Sequence, residues 1–204
     1  MEFEQVVRRR RMVRNYTDQP VDREIVDRIL DRARRAPNAG FTQGFYFVAV
    51  DEATTRRQIA ELGNEPDYVS RGFDPWLSSA PVHVVVCVSE ADYHHRYRQP
   101  DKLQEDGTEI EWPVPYWYVD AGGALLLILL GAVVEGLAAG FFGVHRLPQL
   151  KKLLGIPEDV TPIGVVTMGL PAPERRSGSS KRGRKPLDEV VYWGHWAEGA
   201  PDSP

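Results

Sequence analysis

An α+β fold is predicted for this chain on three observations. Its 204 residues, 42% of them hydrophobic, suffice to bury one full core. Short β-branched and aromatic runs are interspersed with amphipathic segments in no regular alternation, which disfavours a doubly wound sheet. One long segment, residues 121–144, carries no charge except Glu135.

In chain order, Glu2–Arg11 reads as a short helix with Phe3, Val6 and Val7 on one side. In "VDREIVDRILDRARRAP", Ile25, Ile29 and Ala33 recur at helical spacing beside Val26 and Leu30, with Asp22 as N-cap and Pro37 as stop. "FYFVAV" (Phe45–Val50) and "VHVVVCV" (Val82–Val88) are short and rich in β-branched or aromatic residues, so they read as strands, with a helix over Ala53–Leu62 between them. Ser89–Trp117 is polar, irregular and long for a loop, which makes it a disordered excursion or a functional lid. In "AGGALLLILLGAVVEGLAAGFFGV" the uncharged part before Glu135 is shorter than the roughly 17–25 residues of a membrane span. A helix apolar on all sides is expected there, buried in the core or against a second chain. A short helix in "LPQLKKLLG", a strand from Ile163, a basic linker over Arg175–Lys185 and a last strand or extended arm in "PLDEVVYWGHW" complete the chain. The whole reads as one domain, 1–204, with 89–117 as a lid insertion and 175–204 as linker and arm.

A formal net charge of -4 disfavours general affinity for nucleic acid or membrane surfaces, yet Arg8–Arg11 and Arg14 concentrate five guanidinium groups. That run calls for a local anion. The single cysteine, Cys87, sits in an apolar strand and suits a reducing compartment. No export signal is evident in "MEFEQVVRRRR", so a cytoplasmic location is expected. His83, His94, His95, His145 and His195 have neither helical pairing nor a cysteine partner, and no metal site is expected. There is no Gly-x-Ser-x-Gly, P-loop or Gly-x-Gly-x-x-Gly run, so a separate nicotinamide domain is not expected. No side chain is assigned as catalytic acid or base.

Four patches, "RRRMVRNY", "APNAGFTQGFYFV", "DAGGALLLILLGAVVEGLAAGFFG" and "RGRKPLDEVV", follow the order and spacing of the nitroreductase-like FMN-dependent oxidoreductases. From about Val6 to Trp193 the chain resembles that family. The resemblance implies a homodimer with a central mixed or antiparallel sheet flanked by helices. It also implies FMN as cofactor, NAD(P)H as donor, and ping-pong reduction of small electron-poor molecules such as nitroaromatics or quinones. Arg10, Arg11, Met12 and Arg14, with Arg182 and Arg184, would converge on the FMN phosphate, whose oxygens match the guanidinium fork. A solvated basic face at a helix end is the alternative, preferred for Arg8 and Arg9. Met12 replaces the family's serine and removes a hydroxyl.

By the same resemblance, Pro37, Asn38, Ala39 and Gln43 would lie along the isoalloxazine, although such residues also make ordinary helix-to-strand turns. Phe41 and Gly44 depart from the family's asparagine and proline on the substrate side of that loop. Phe141, Phe142 and Gly143 would form the other wall, with a backbone N–H at Gly143 or its neighbour facing the ring nitrogen. The alternative is tight packing by the glycines, with both phenylalanines in the core. In the lid, Tyr93 and Tyr97 stand between Glu90 and Lys102 in an order similar to the iodotyrosine deiodinases, a branch of the same superfamily. They join Phe41 as substrate-side candidates, against a lid whose aromatics fold onto their own domain. Two other functions stay open: a flavin-binding sensor or store without reductase activity, and a specialised reductive dehalogenase or flavin-fragmenting enzyme.

Overall fold

The computed structural model describes residues 1–174 and 182–196. Four strands form one sheet: β1 (Phe45–Val50), β2 (Val82–Val88), β3 (Ala138–Phe142) and β4 (Thr161–Gly169), in the order β1-β2-β4-β3. All three ladders are antiparallel, and a single parallel bridge from Met12 to Ala139 brings the N-terminal segment alongside β3. β2 is central and every one of its side chains is buried, which explains a run of valines without polar alternation. Its side chains divide with period two: Val82, Val84, Val86 and Val88 join one core layer, Val85 and Cys87 the other.

Eight helices are described: α1 (Phe3–Arg9), α2 (Arg23–Ala33), α3 (Ala53–Leu62), α4 (Glu65–Ser70), α5 (Trp76–Ser79), α6 (Glu90–Tyr97), α7 (Tyr116–Val134) and α8 (Leu147–Leu154). α2 and α7 cover one sheet face through Ile29, Ala33, Ala121, Ala124 and Ile128. α3, α5 and α8 cover the other through Ile59, Trp76, Leu77 and Leu150. Glu135, the lone charge of the apolar run, takes ion pairs from Arg28 (2.8 Å) and Arg32 (2.7 Å) of α2. Those two cations offset the unfavourable placement of a carboxylate at a helix C-terminus.

The structure corrects three expectations. The apolar run is not one helix. α7 stops at Val134, where Gly136 adopts φ +78° and its N–H donates to the Val133 carbonyl (3.1 Å) while that of Leu137 donates to Ala132 (2.8 Å). This glycine-terminated stop frees 138–142 to form β3. The lid is not irregular throughout: the Ser89 hydroxyl accepts from the Asp92 N–H (3.2 Å) and starts α6. Residues 63–81 hold α4 and α5. Finally, where the sequence predicts a last strand or extended arm in "PLDEVVYWGHW", residues 182–196 hold a 3-10 turn at Leu187–Glu189 and no strand.

The chain divides into two compact units, residues 1–174 and 175–204. Within the second, Tyr192 stacks on Trp196 at 4.4 Å between ring centroids. Part of the basic linker, 175–181, lies outside the described residues.

Candidate functional site

The arginine segment leaves α1 in extended backbone at Arg10 and docks on the free edge of β3. The Val13 N–H donates to the Ala139 carbonyl at 3.0 Å. This approach requires glycine at position 140, because a Cβ there would sit 2.5 Å from the Val13 carbonyl oxygen and 2.9 Å from Thr167 Oγ1. Beneath it, the Tyr16 hydroxyl donates to the Val13 carbonyl (3.0 Å) and lies 2.8 Å from Thr167 Oγ1, and burial pushes its phenol well up. The Arg14 guanidinium lies over the fully buried Trp76 ring at 5.9 Å, and Trp76 meets Phe142 edge-on at 5.8 Å. Arg11 is paired with Glu174, whose second oxygen accepts the Arg14 backbone N–H at 2.5 Å. The guanidinium groups of Arg10 and Arg14 have no carboxylate partner among the described residues. Met12 is exposed, and Arg9, assigned above to a solvated face, lines with Arg11 a cleft of about 210 Å³ beside Leu137 and Pro171.

The 37–43 loop has a different construction. Gly40, Phe41 and Gln43 all take positive φ (63°, 55° and 56°). For the two that are not glycine this costs about 1–3 kcal/mol each, and surrounding contacts must hold it. Asn38 supplies two of them: its Oδ1 accepts from the Gln43 N–H (2.7 Å) and its Nδ2 donates to the Ala36 carbonyl (3.0 Å). Asp120 on α7 accepts from the Ala39 N–H (2.8 Å) and from the Tyr93 hydroxyl (2.9 Å), and Arg96 donates to the Gly40 carbonyl (2.9 Å). The Tyr97 ring closes over Gly40, where a Cβ would come within 2.7 Å of it. Tyr93 is buried, and burial together with its Asp120 acceptor pushes its phenol well up. Pro37 and Gln43 are exposed, and Phe41 is 75% exposed.

At the end of β3, Phe142 is buried and Phe141 partly buried, whereas Gly143 is exposed and a Cβ there would meet no described atom within 4 Å. The 37–43 loop and Gly143 leave the same end of the sheet, but from strands at opposite edges, about 14 Å apart at ordinary strand spacing. The structure therefore brings the arginines to β3, and brings Tyr93 and Tyr97 to the loop, without bringing these two groups together in one chain. Arg182 and Arg184 belong to the second unit and are exposed. Glu174, Asp120, Arg96 and Trp76 were not singled out from sequence. Asp120 does open the "DAGGALLL" patch; the other three act over separations that no local pattern encodes. Among the described residues no three or more His, Cys, Asp or Glu side chains gather into a group that could hold a metal ion.

Known proteins agree with this architecture. The FMN reductase (NAD(P)H) of Bacillus subtilis (strain 168) is 31% identical over 187 residues, 89% of this chain and 69% of that protein. The structure of B. megaterium NfrA1 superposes with a TM-score of 0.76 at 21% identity, covering 96% of this chain and 75% of that one. A nitroreductase family protein from Streptococcus pneumoniae TIGR4 superposes at 0.73 with 18% identity, covering 94% and 99%. Residues 7–170 match the sequence model of the nitroreductase family, and the chain belongs to that family of oxidoreductases.

Proposed function

We propose that this chain is a cytoplasmic FMN-dependent enzyme in which NAD(P)H and small electron-poor acceptors, such as nitroaromatics or quinones, use one pocket in turn. The observation that carries the reading is the arginine segment on β3, where Arg10 and Arg14 lack carboxylate partners among the described residues. A phosphate dianion suits such a pair, since charge-assisted hydrogen bonds contribute about 1.5–3 kcal/mol each. Arg182 and Arg184 are proposed to add to it. Bound FMN supplies hydride uptake and release. The chain's own residues bind and orient. Glu174 fixes Arg11 and the Arg14 backbone, so the phosphate falls to Arg10 and Arg14. Gly143 offers a backbone N–H with open space around its Cα, and Gln43 and Phe41 face outward from a strained, braced loop. The name of the Bacillus subtilis relative, which pairs FMN with NAD(P)H, supports flavin chemistry and the donor.

The proposed assembly is a homodimer whose two sites draw on both chains. α7 leaves Val119, Leu126 and Val134 exposed, and Phe3 and Val7 of the adjoining α1 extend this apolar surface. A second copy covering it could also set the 37–43 loop of one chain beside the β3 edge of the other. The test is the absorbance spectrum of purified protein. FMN-loaded protein is expected to bleach with NADH or NADPH without oxygen, to recover its colour on adding a quinone, and to give parallel double-reciprocal plots. A yellow protein that neither nucleotide bleaches is a flavin binder without reductase activity, and one that cannot be loaded with FMN overturns the proposal.

A further inference from the structure

A second cavity, of about 380 Å³, opens on the sheet face opposite α7, between β1, β2 and the 155–160 turn that joins α8 to β4. It shares no residue with the flavin and substrate candidates. Its floor is apolar: Val48, Cys87, Leu154, Ile156 and Val160. Its rim is acidic. Ser89 caps α6 and fixes Asp92, whose carboxylate accepts the Tyr46 hydroxyl at 2.5 Å, and Asp159 stands on the facing turn. That bond, burial and the nearby charge of both aspartates push the Tyr46 phenol up to about 12, so Tyr46 stays neutral, with its O–H already donating to Asp92. Lys151, whose charge reaches Cys87, is engaged by the Glu158 carbonyl (2.6 Å) and carboxylate (3.3 Å). Burial pushes the Cys87 thiol up to about 12, leaving it part of the apolar floor rather than a nucleophile.

We propose that this cavity binds a small organic cation with an apolar body, such as an arylalkylammonium or benzamidinium, its hydrocarbon on the floor and its charge between Asp92 and Asp159. The volume lies in the usual range for small-molecule sites, about 300–1,000 Å³. An anion meets two carboxylates, and among the described residues the lining holds no cation. A hydrated metal ion finds an apolar floor and too few ligands. A neutral molecule gains the floor and nothing from the rim.

The experiment titrates phenethylammonium into full-length protein saturated with FMN, which keeps the probe out of the flavin site, and follows backbone amide NMR shifts. Phenethyl alcohol and phenylacetate serve as neutral and anionic matches. Saturable shifts centred on Tyr46 and Gly155 are expected with the ammonium, about tenfold weaker binding with the alcohol, and none with the carboxylate. Asp159 lies on an exposed turn, so Asp159→Asn leaves the fold intact; it should weaken the ammonium about threefold, and about tenfold when combined with Asp92→Asn. Equal binding of the alcohol, binding of phenylacetate, an unaltered affinity in the double variant, or no saturable shift at millimolar ammonium each overturns the proposal.

Discussion

Arg14 has its backbone N–H engaged by Glu174 and its guanidinium laid on Trp76, so its position is set by the chain while its guanidinium has no carboxylate partner among the described residues. Arg14→Ala should therefore weaken FMN about 10- to 100-fold, the equivalent of one charge-assisted hydrogen bond, and leave riboflavin nearly untouched. Flavin fluorescence titrations check this, and equal losses for the two flavins would remove Arg14 from the phosphate. His83 shows the opposite arrangement, a titratable group deep in the core. It is fully buried, its Nε2 lies 2.6 Å from the Leu77 carbonyl, and burial depresses its pKa to about 4. The unfolded state takes up a proton near the usual histidine value while the folded state does not. Stability is thus full above about pH 6.5 and is lost as pH falls toward 4, by about 2 kcal/mol between pH 7 and 5. Urea unfolding at those two pH values should show the drop, and His83→Asn should remove most of it.

Among the elements, β3 and the loop before β1 carry the site by different means. β3 accepts the arginine segment only because position 140 has no side chain. Gly140→Ala sets a methyl against backbone and should cost about 1–3 kcal/mol, with FMN lost before the fold is. Thermal melts with and without FMN separate the two losses. The 37–43 loop is instead braced from outside: Asp120 ties it to α7 and, through Tyr93, to α6. Asp120→Ala leaves two donors unpaired, at about 1–3 kcal/mol, and should speed hydrogen exchange at residues 39–43 well beyond that of the strands. An unchanged exchange rate there would mean that Asn38 and Arg96 alone hold the strained backbone.

For the whole molecule, the proposed homodimer turns on which surface of α7 a second chain would cover. Sequence alone offers Leu127 and Ile128 as equally apolar choices, but Ile128 is fully buried in the core and Leu127 packs partly against it, whereas Leu126 is 49% exposed. In light scattering over a dilution series, Leu126→Glu should give a folded monomer with FMN affinity reduced. Ile128→Glu should fail to fold, since an unpaired buried charge costs several kcal/mol. The interface lost in the first variant is on the order of 2,000–5,000 Å² if the dimer is obligate. A Leu126→Glu protein that stays dimeric would place the seam elsewhere.

Local pattern determined much of this protein by itself. β1, β2 and α3 run over the expected residues, α8 and β4 lie within about two, and α2 starts where expected but ends at Ala33, short of the expected stop at Pro37, because each is written in contiguous periodicity or β-branched composition. The patches that name the family are likewise contiguous, which is why the chain could be placed in it from residues alone. What tertiary structure decided is whatever depends on partners far along the chain. An all-apolar run has no periodicity with which to mark where α7 ends and β3 begins; Gly136 marks it, and only pairing with β4 makes 138–142 a strand. Glu174 reaches Arg11 across 163 positions and Asp120 reaches Ala39 across 81, so their roles exist only once the sheet has brought those segments together. The exposed stripe of α7 was equally hidden, because a helix apolar on every side shows its free face only after the core has taken the other.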